Sequence, residues 1–414
     1  MLNLKDIQAR VADEESCWKH VQSLRHKDLA KLRAGVEVHS RVDALDRGCV
    51  TVNRVISLLL DAGLNFANVD AAHSLGHLTR DYINSLRLFS KLDAPPSDLF
   101  LGFVGGCFHD LGCALVPRYD EQKRVIRHAE AGAILLEAVF EHDGIGLSRE
   151  EQLLSEYGVA AHTNYLTTTK VTCSDGVVRT SNPYSNVDLH GNPVYSIIFP
   201  RWVDRLDCNG PTFVGRHYLG LTEQHEDFSG NRFQVITYAN HMRPLLRAGD
   251  PNTSPDGGPT MLEHLQYFAS GQASSSPHAC YDFGEMIPLR DRQTRRLQRI
   301  IHAVLNPAPT ALDEEKVSES WTTFLGSNIE PSPVGGEAAN LLNARFHQLD
   351  HKSQTAWSYG FIETMKEYCL WAAEVNGALS ALPNKWLNLP SVDDLVTVIQ
   401  PNPKWYNSLH FTSG

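Results

Sequence analysis

The sequence predicts a mainly helical, all-α protein with one short β-like insertion. Apolar residues recur at helical spacing in several long segments, most clearly Val52, Val55, Ile56, Leu59 and Leu60. Start and stop signals bracket these segments: Ser148 with Glu151 makes a capping-box pattern, and Asn209-Gly210-Pro211 follows RWVDRLDC. Strand-like runs are confined to 170–179 and 194–199.

Taken in order, residues 1 to about 35 are polar, with Leu4, Ile7, Val11, Val21 and Leu24 spaced for one or two surface helices. A core-facing helix follows within 42–64, stopped by Gly63. The segment from Ala71 begins another, with His73 and His77 at i and i+4 on one face. After Pro95-Pro96 a buried helix is expected to be interrupted near Gly112 and to end at Pro117. A basic loop, 118–127, leads to RHAEAGAILLEAVFE, where His128, Gly132, Leu135 and Val139 fall on one apolar stripe. On the next helix Leu154, Gly158 and His162 are spaced by four, which places His162 near the inner face. Beyond the insertion, RWVDRLDC reads as a helix carrying Asp204. Further helices are expected at 291–305, 338–352 and 359–376, between Pro/Gly/Ser-rich stretches. The organisation is an N-terminal helical segment (1–64), a core (65–215) and a mostly helical C-terminal region (216–414).

The 414 residues are 42% apolar and 21% charged, as in a soluble globular protein. A net charge of −11 argues against nucleic acid or an anionic membrane surface as the main partner. Eight scattered cysteines with no CxxC spacing read as buried thiols of a reducing compartment. With no signal-peptide core in the first sixty residues, a cytoplasmic location is expected. The one long apolar run, LFLGFVGGCFHDLGCALVP, contains a His-Asp pair, which argues against a membrane span.

That pair is where chemistry enters. An ionised Asp110 in an apolar segment costs several kcal/mol, about the desolvation penalty of one ion, unless something compensates it. A mutual His109–Asp110 hydrogen bond in a core is one solution, and a cation bound by both is the other. A second pair, His142-Asp143, lies in EHDGIG between polar residues and reads as a solvated turn.

In chain order the candidates are His77 or His73, His109-Asp110, His128, His162 and Asp204. Through HLTR (77–80), CFHDLG (107–112), HAEAGAILL (128–136), AAH (160–162) and VDRLD (203–207), the chain resembles the HD-domain superfamily. The resemblance covers about residues 65–215. It implies a helical core presenting His77, His109, Asp110, His128, His162 and Asp204 to divalent metal ions (Mn, Fe, Ni, Co, Zn or Mg), six ligands suggesting two ions. It favours His77 over His73 because His77 stands three residues before Arg80, leaving His73 for substrate. It favours Asp204 over Asp207, which is assigned to the surface.

The activity implied is metal-dependent hydrolysis of a small phosphoester of nucleotide or cyclic-nucleotide type, with Asp110, His128 and Arg80 in catalytic roles. Many members of that superfamily carry a lysine where this chain has Cys113. A phosphate would then need Arg80, Arg118, Lys123, Arg124 or Arg127, with His73, Arg118, Lys123 and Arg127 as the substrate-binding candidates. The RDRQTRRLQR segment, with Arg292, Arg295, Arg296 and Arg299 on one face, reads as a solvated stripe. Two other readings share the ligand order: an HD-type di-iron oxygenase that cleaves a C–C or C–P bond with O₂, and a non-catalytic ligand sensor.

Overall fold

The computed structural model describes residues 2–64, 73, 75–116, 128–142, 144–163, 169–173, 175–208 and 295. The segment bearing Arg118, Lys123, Arg124 and Arg127 and the helices expected at 291–305, 338–352 and 359–376, apart from Arg295, lie outside the described residues.

The described residues form a mainly all-α fold: α1 (Leu4–Ala12), α2 (Glu14–Arg25), α3 (Leu29–Ala34), α4 (Arg41–Asp61), α5 (Leu75–Lys91), α6 (Pro96–Phe108), α7 (His128–Phe140), α8 (Arg149–Ala161) and α9 (Tyr195–Cys208). A two-stranded antiparallel hairpin, β1 (Thr169–Thr172) and β2 (Val178–Ser181), pairs Thr169 with Ser181 and Thr172 with Val178. No described helix is long and apolar enough to cross a membrane. One compact unit comprises Met1–Val69, Leu78–Arg205 and Ala381–Val392, and a second comprises Asp70–His77, Leu206–Ser380 and Asp393–Gly414. The division cuts α5 and α9, each a continuous helix, near one end.

The centre of the first unit is α6, in which every residue from Asp98 to Phe108 is buried. A helix apolar on all sides must be wrapped by others. Here α4 and α8 pack against it, and α5 adds Tyr82 and Phe89, whose rings meet Phe103 edge-on at 5.8 and 6.3 Å. Phe100, Phe103 and Val104 are fully buried, as are Val52 and Val55 of α4. Each such side chain contributes about 1.5–3 kcal/mol by leaving water. Helix α7 is equally apolar, with Ile134, Leu135, Leu136 and Val139 fully buried, and it packs on α8.

Three short helices, not one or two, occupy the N-terminal stretch, because Asp13 and Asp28 each start a new helix by capping backbone N–H groups with their carboxylates. Buried or half-buried ion pairs tie this region to the core. Arg25 reaches Glu130 at 3.3 Å, Arg33 reaches Asp98 at 2.8 Å, and Arg47 reaches Glu151 at 2.7 Å. Glu151 is also N3 of the capping box that begins α8, reciprocally bonded with Ser148.

Two expectations are corrected. The run 194–199 is the start of α9, not a strand: Ile197, Ile198 and Phe199 are fully buried, and packing overrides their β-propensity. Pro200 lies inside this helix and cannot donate to the carbonyl of Ser196. Helix α8 approaches there, and only because position 158 is glycine: a Cβ would stand 2.8 Å from the Ser196 oxygen. The helix of the 99–117 segment ends earlier than Gly112. It stops at Phe108, and the chain continues as a 3-10 turn, Leu111–Ala114.

Candidate metal centre

Helices α6 and α8 end in the same way. His109 follows α6 and its Nδ1 lies 2.9 Å from the carbonyl oxygen of Gly106. His162 follows α8 and its Nδ1 lies 2.6 Å from the carbonyl oxygen of Val159. Each ring folds back onto a carbonyl three residues earlier, in the last helical turn, where donors within the helix run out; the Val159 oxygen also accepts from the His162 backbone N–H at 3.4 Å. A carbonyl can only accept, so Nδ1 carries the proton in both rings. In a neutral imidazole, Nε2 then presents a lone pair inward. Both helix ends also carry the negative pole of the backbone dipole, which favours a cation.

Those lone pairs converge on Asp110. His162 Nε2 stands 3.3 Å from Asp110 Oδ1 and 3.2 Å from His128 Nε2. His128 Nε2 is itself 3.3 Å from the same oxygen. On the other side of the carboxylate, His109 Nε2 lies 3.6 Å from Asp110 Oδ2 and 3.8 Å from Asp81 Oδ2. All of these residues are buried, His128 being the most exposed at 6%. Burial also raises the thiol of Cys107, one turn back on α6, well above its ordinary range, the sign of a low-dielectric floor.

The spacing fits a metal. Bonds of about 2.0–2.1 Å at tetrahedral angles hold neighbouring donors about 3.3 Å apart, and three donors here are separated by 3.2–3.3 Å. Without a cation or an extra proton, His162 Nε2 would turn a lone pair toward a carboxylate oxygen at this distance.

The 3-10 turn sets this geometry. It carries Gly112 against the first turn of α7, where a Cβ would run into the His128 carbonyl oxygen and stand 2.5 Å from Gly132 N. Glycine at 112 lets the chain after Asp110 lie against the backbone of His128. The turn also brings Cys113 in, so that donor atoms of Asp110, Cys113 and His128 all lie within 4.8 Å of one another.

His77 is the third residue of α5. Its Nδ1 donates to Asp207 Oδ2 at 2.8 Å, with both side chains fully buried, so Nδ1 carries the ring proton there. Donor atoms of His77, His109, Asp110 and Asp204 form a second group within 4.8 Å, with Asp204 half-buried. His77, Asp81 and Asp207 form a third.

Among the sequence candidates, the structure brings together His77, His109, Asp110 and Asp204 as one set, and Asp110, His128 and His162 as another. His73 is buried but precedes α5, so it does not share a helical face with His77; their rings meet edge-on at 6.0 Å. Arg80 lies on α5, one turn after His77.

The surface assignment of Asp207 is corrected. It is 1% exposed, because α9 continues through residue 208 and turns that face inward. Asp81 was missed although the spacing held a signal: it is i+4 from His77. Arg201 was missed as well. It is fully buried and donates from Nη1 to the carbonyl oxygen of His162 at 3.2 Å. Buried His and Asp groups thus lie close enough to hold metal ions. Comparison with protein families, curated proteins and solved structures finds no match to this chain.

Proposed function

We propose that the chain is a metal-dependent phosphohydrolase of HD-domain type acting on a small phosphoester. The observation that carries this reading is the set of three donors, His128 Nε2, His162 Nε2 and Asp110 Oδ1, at 3.2–3.3 Å from one another in a buried site. Next to it lies the His77, His109, Asp110 and Asp204 group, and Asp110 belongs to both. A carboxylate has two oxygens and can serve two ions, whereas an imidazole serves one. Asp110, which belongs to both donor sets, would be the residue able to serve an ion in each.

The imidazole and carboxylate donors suit Mn²⁺, Fe²⁺, Co²⁺, Ni²⁺ or Zn²⁺. Bound ions supply Lewis acidity, which activates water near neutral pH and neutralises charge on a phosphoryl oxygen. The protein's own residues do the rest. The carbonyls of Gly106 and Val159 hold the Nδ1 protons of His109 and His162, so those rings cannot turn away from the centre. Arg201 holds the His162 carbonyl and thereby the end of α8. His128, at the start of α7, would hold an ion through Nε2 beside Asp110 Oδ1 and His162 Nε2. Arg80 is assigned to the phosphoryl group.

The test is metal analysis of the purified protein, followed by a phosphoester panel with added Mn²⁺, with Asp110→Ala as the comparison. Loss of both bound metal and phosphate release in the variant is the expected result. An Asp110→Ala protein that kept its metal and full activity would overturn the reading. Iron content with O₂ uptake and no phosphate release would move the assignment to the oxygenase class.

A further inference from the structure

The role of Cys113 goes beyond an all-His/Asp centre. Its side chain is 6% exposed, in the 3-10 turn that follows Asp110, and it forms no disulfide. The Gly112 contact with the backbone of α7 seats this turn beside His128. As a result a sulfur, a carboxylate oxygen and an imidazole nitrogen lie within 4.8 Å of one another, all on buried residues.

A second observation points to a cation at the same place. His162 is 2% exposed, its Nδ1 proton is committed to the Val159 carbonyl, and its Nε2 is aimed at Asp110 Oδ1 and His128 Nε2. Asp110 Oδ1 thus has two imidazole nitrogens at 3.3 Å, and the Cys113 sulfur lies within 4.8 Å of a carboxylate oxygen of Asp110 and a ring nitrogen of His128. Sulfur changes what such a site prefers. Thiolate and imidazole together favour Zn²⁺ or Co²⁺, whereas Mg²⁺ and Mn²⁺ prefer oxygen donors.

We propose that Cys113 is a thiolate ligand, alongside Asp110, His128 and His162, of a thiophilic divalent ion such as Zn²⁺ or Co²⁺. The inference rests on the metal-centre reading and deepens it. As the ion–sulfur bond forms, the Sγ–H bond breaks and its proton passes to the buffer, with no change of oxidation state.

The experiment is titration of the full chain with Co²⁺, followed by absorption spectroscopy. The wild-type protein is expected to show visible d–d bands together with a near-ultraviolet thiolate-to-cobalt charge-transfer band. Cys113→Ser and Cys113→Ala should keep visible bands and lose the charge-transfer band. Zn²⁺ affinity should fall at least about tenfold in these variants, with Mn²⁺ affinity unchanged within about twofold. Calorimetry in two buffers should count one more proton released by the wild type than by Cys113→Ser. If neither variant folds, X-ray absorption of the zinc-loaded wild type decides: sulfur at about 2.3 Å from zinc supports the proposal, and a shell of nitrogen and oxygen alone overturns it. A wild-type charge-transfer band that is absent, or that persists in both variants, also overturns it while leaving the metal centre standing. Failure of the wild type to bind Co²⁺ at all would instead remove the centre itself.

Discussion

Replacing Gly112 by alanine adds one methyl group where the structure has no room for it. The new Cβ would meet the His128 carbonyl oxygen and lie 2.5 Å from Gly132 N and 2.8 Å from the His128 carbonyl carbon. Carbon atoms in good contact sit about 3.5–4.0 Å apart, so the two backbones must part by about 1 Å. Overpacking of this kind costs about 1–3 kcal/mol, and backbone gives less readily than a side chain, so the upper end, about 3 kcal/mol, is expected. The residue is not among the glycines with positive φ. Alanine would otherwise gain up to about 1 kcal/mol by restricting the unfolded chain, so the sign of the effect isolates the clash.

The same displacement moves His128 away from Asp110 Oδ1, now 3.3 Å distant, and should weaken metal binding about 10- to 100-fold. Urea denaturation and Co²⁺ titration measure the two effects. Gly132→Ala is the milder comparison: its Cβ would stand 3.1 Å from a Val159 methyl and 3.3 Å from Gly112 N, so about 1 kcal/mol is expected. A Gly112→Ala protein as stable as wild type within about 0.5 kcal/mol, with an unchanged cobalt spectrum, would refute the argument that backbone contact sets the site.

Asp207→Asn keeps an acceptor for His77 Nδ1 but removes the negative charge, so the fold should survive while metal affinity falls about 10- to 100-fold; an unchanged titration would show that Asp207 does not tune His77. Glu156 is fully buried, and burial, reinforced by Glu137, pushes its carboxyl up to about 8 from 4.5. Its folded form therefore keeps a proton that the unfolded chain loses. Stability is full below about pH 4.5 and drains as pH rises toward 8, by an amount of order 4 kcal/mol. Glu156→Gln should melt higher than wild type at pH 8.5 and close to it at pH 4, and parallel melting-temperature profiles would exclude this.

Periodicity alone determined the helical class and most of the helices, because a burial stripe repeats every three or four residues wherever a helix faces a core. Val52, Val55 and Leu59 on α4, and the Ser148–Glu151 capping box of α8, were readable for that reason. His109, Asp110, His128 and His162 stood out as polar groups set in apolar sequence, which marks a site whatever its partners.

What the linear pattern could not hold were decisions made by contact. The run at 194–199 has strand composition, and only its burial among the helices around α6 makes it the first turns of α9. Asp207 looks like a surface residue until α9 continues past it and turns it toward His77, 130 positions away in the chain. Nor does spacing reveal that Gly112 must touch the backbone of His128, although that contact seats Cys113 beside His128 and Asp110. The sequence by itself therefore singled out most of these buried His and Asp residues, through their hydrophobic setting together with the HD-domain resemblance. Tertiary structure decided which atoms face one another, because tautomer, register and backbone approach depend on neighbours distant in the chain.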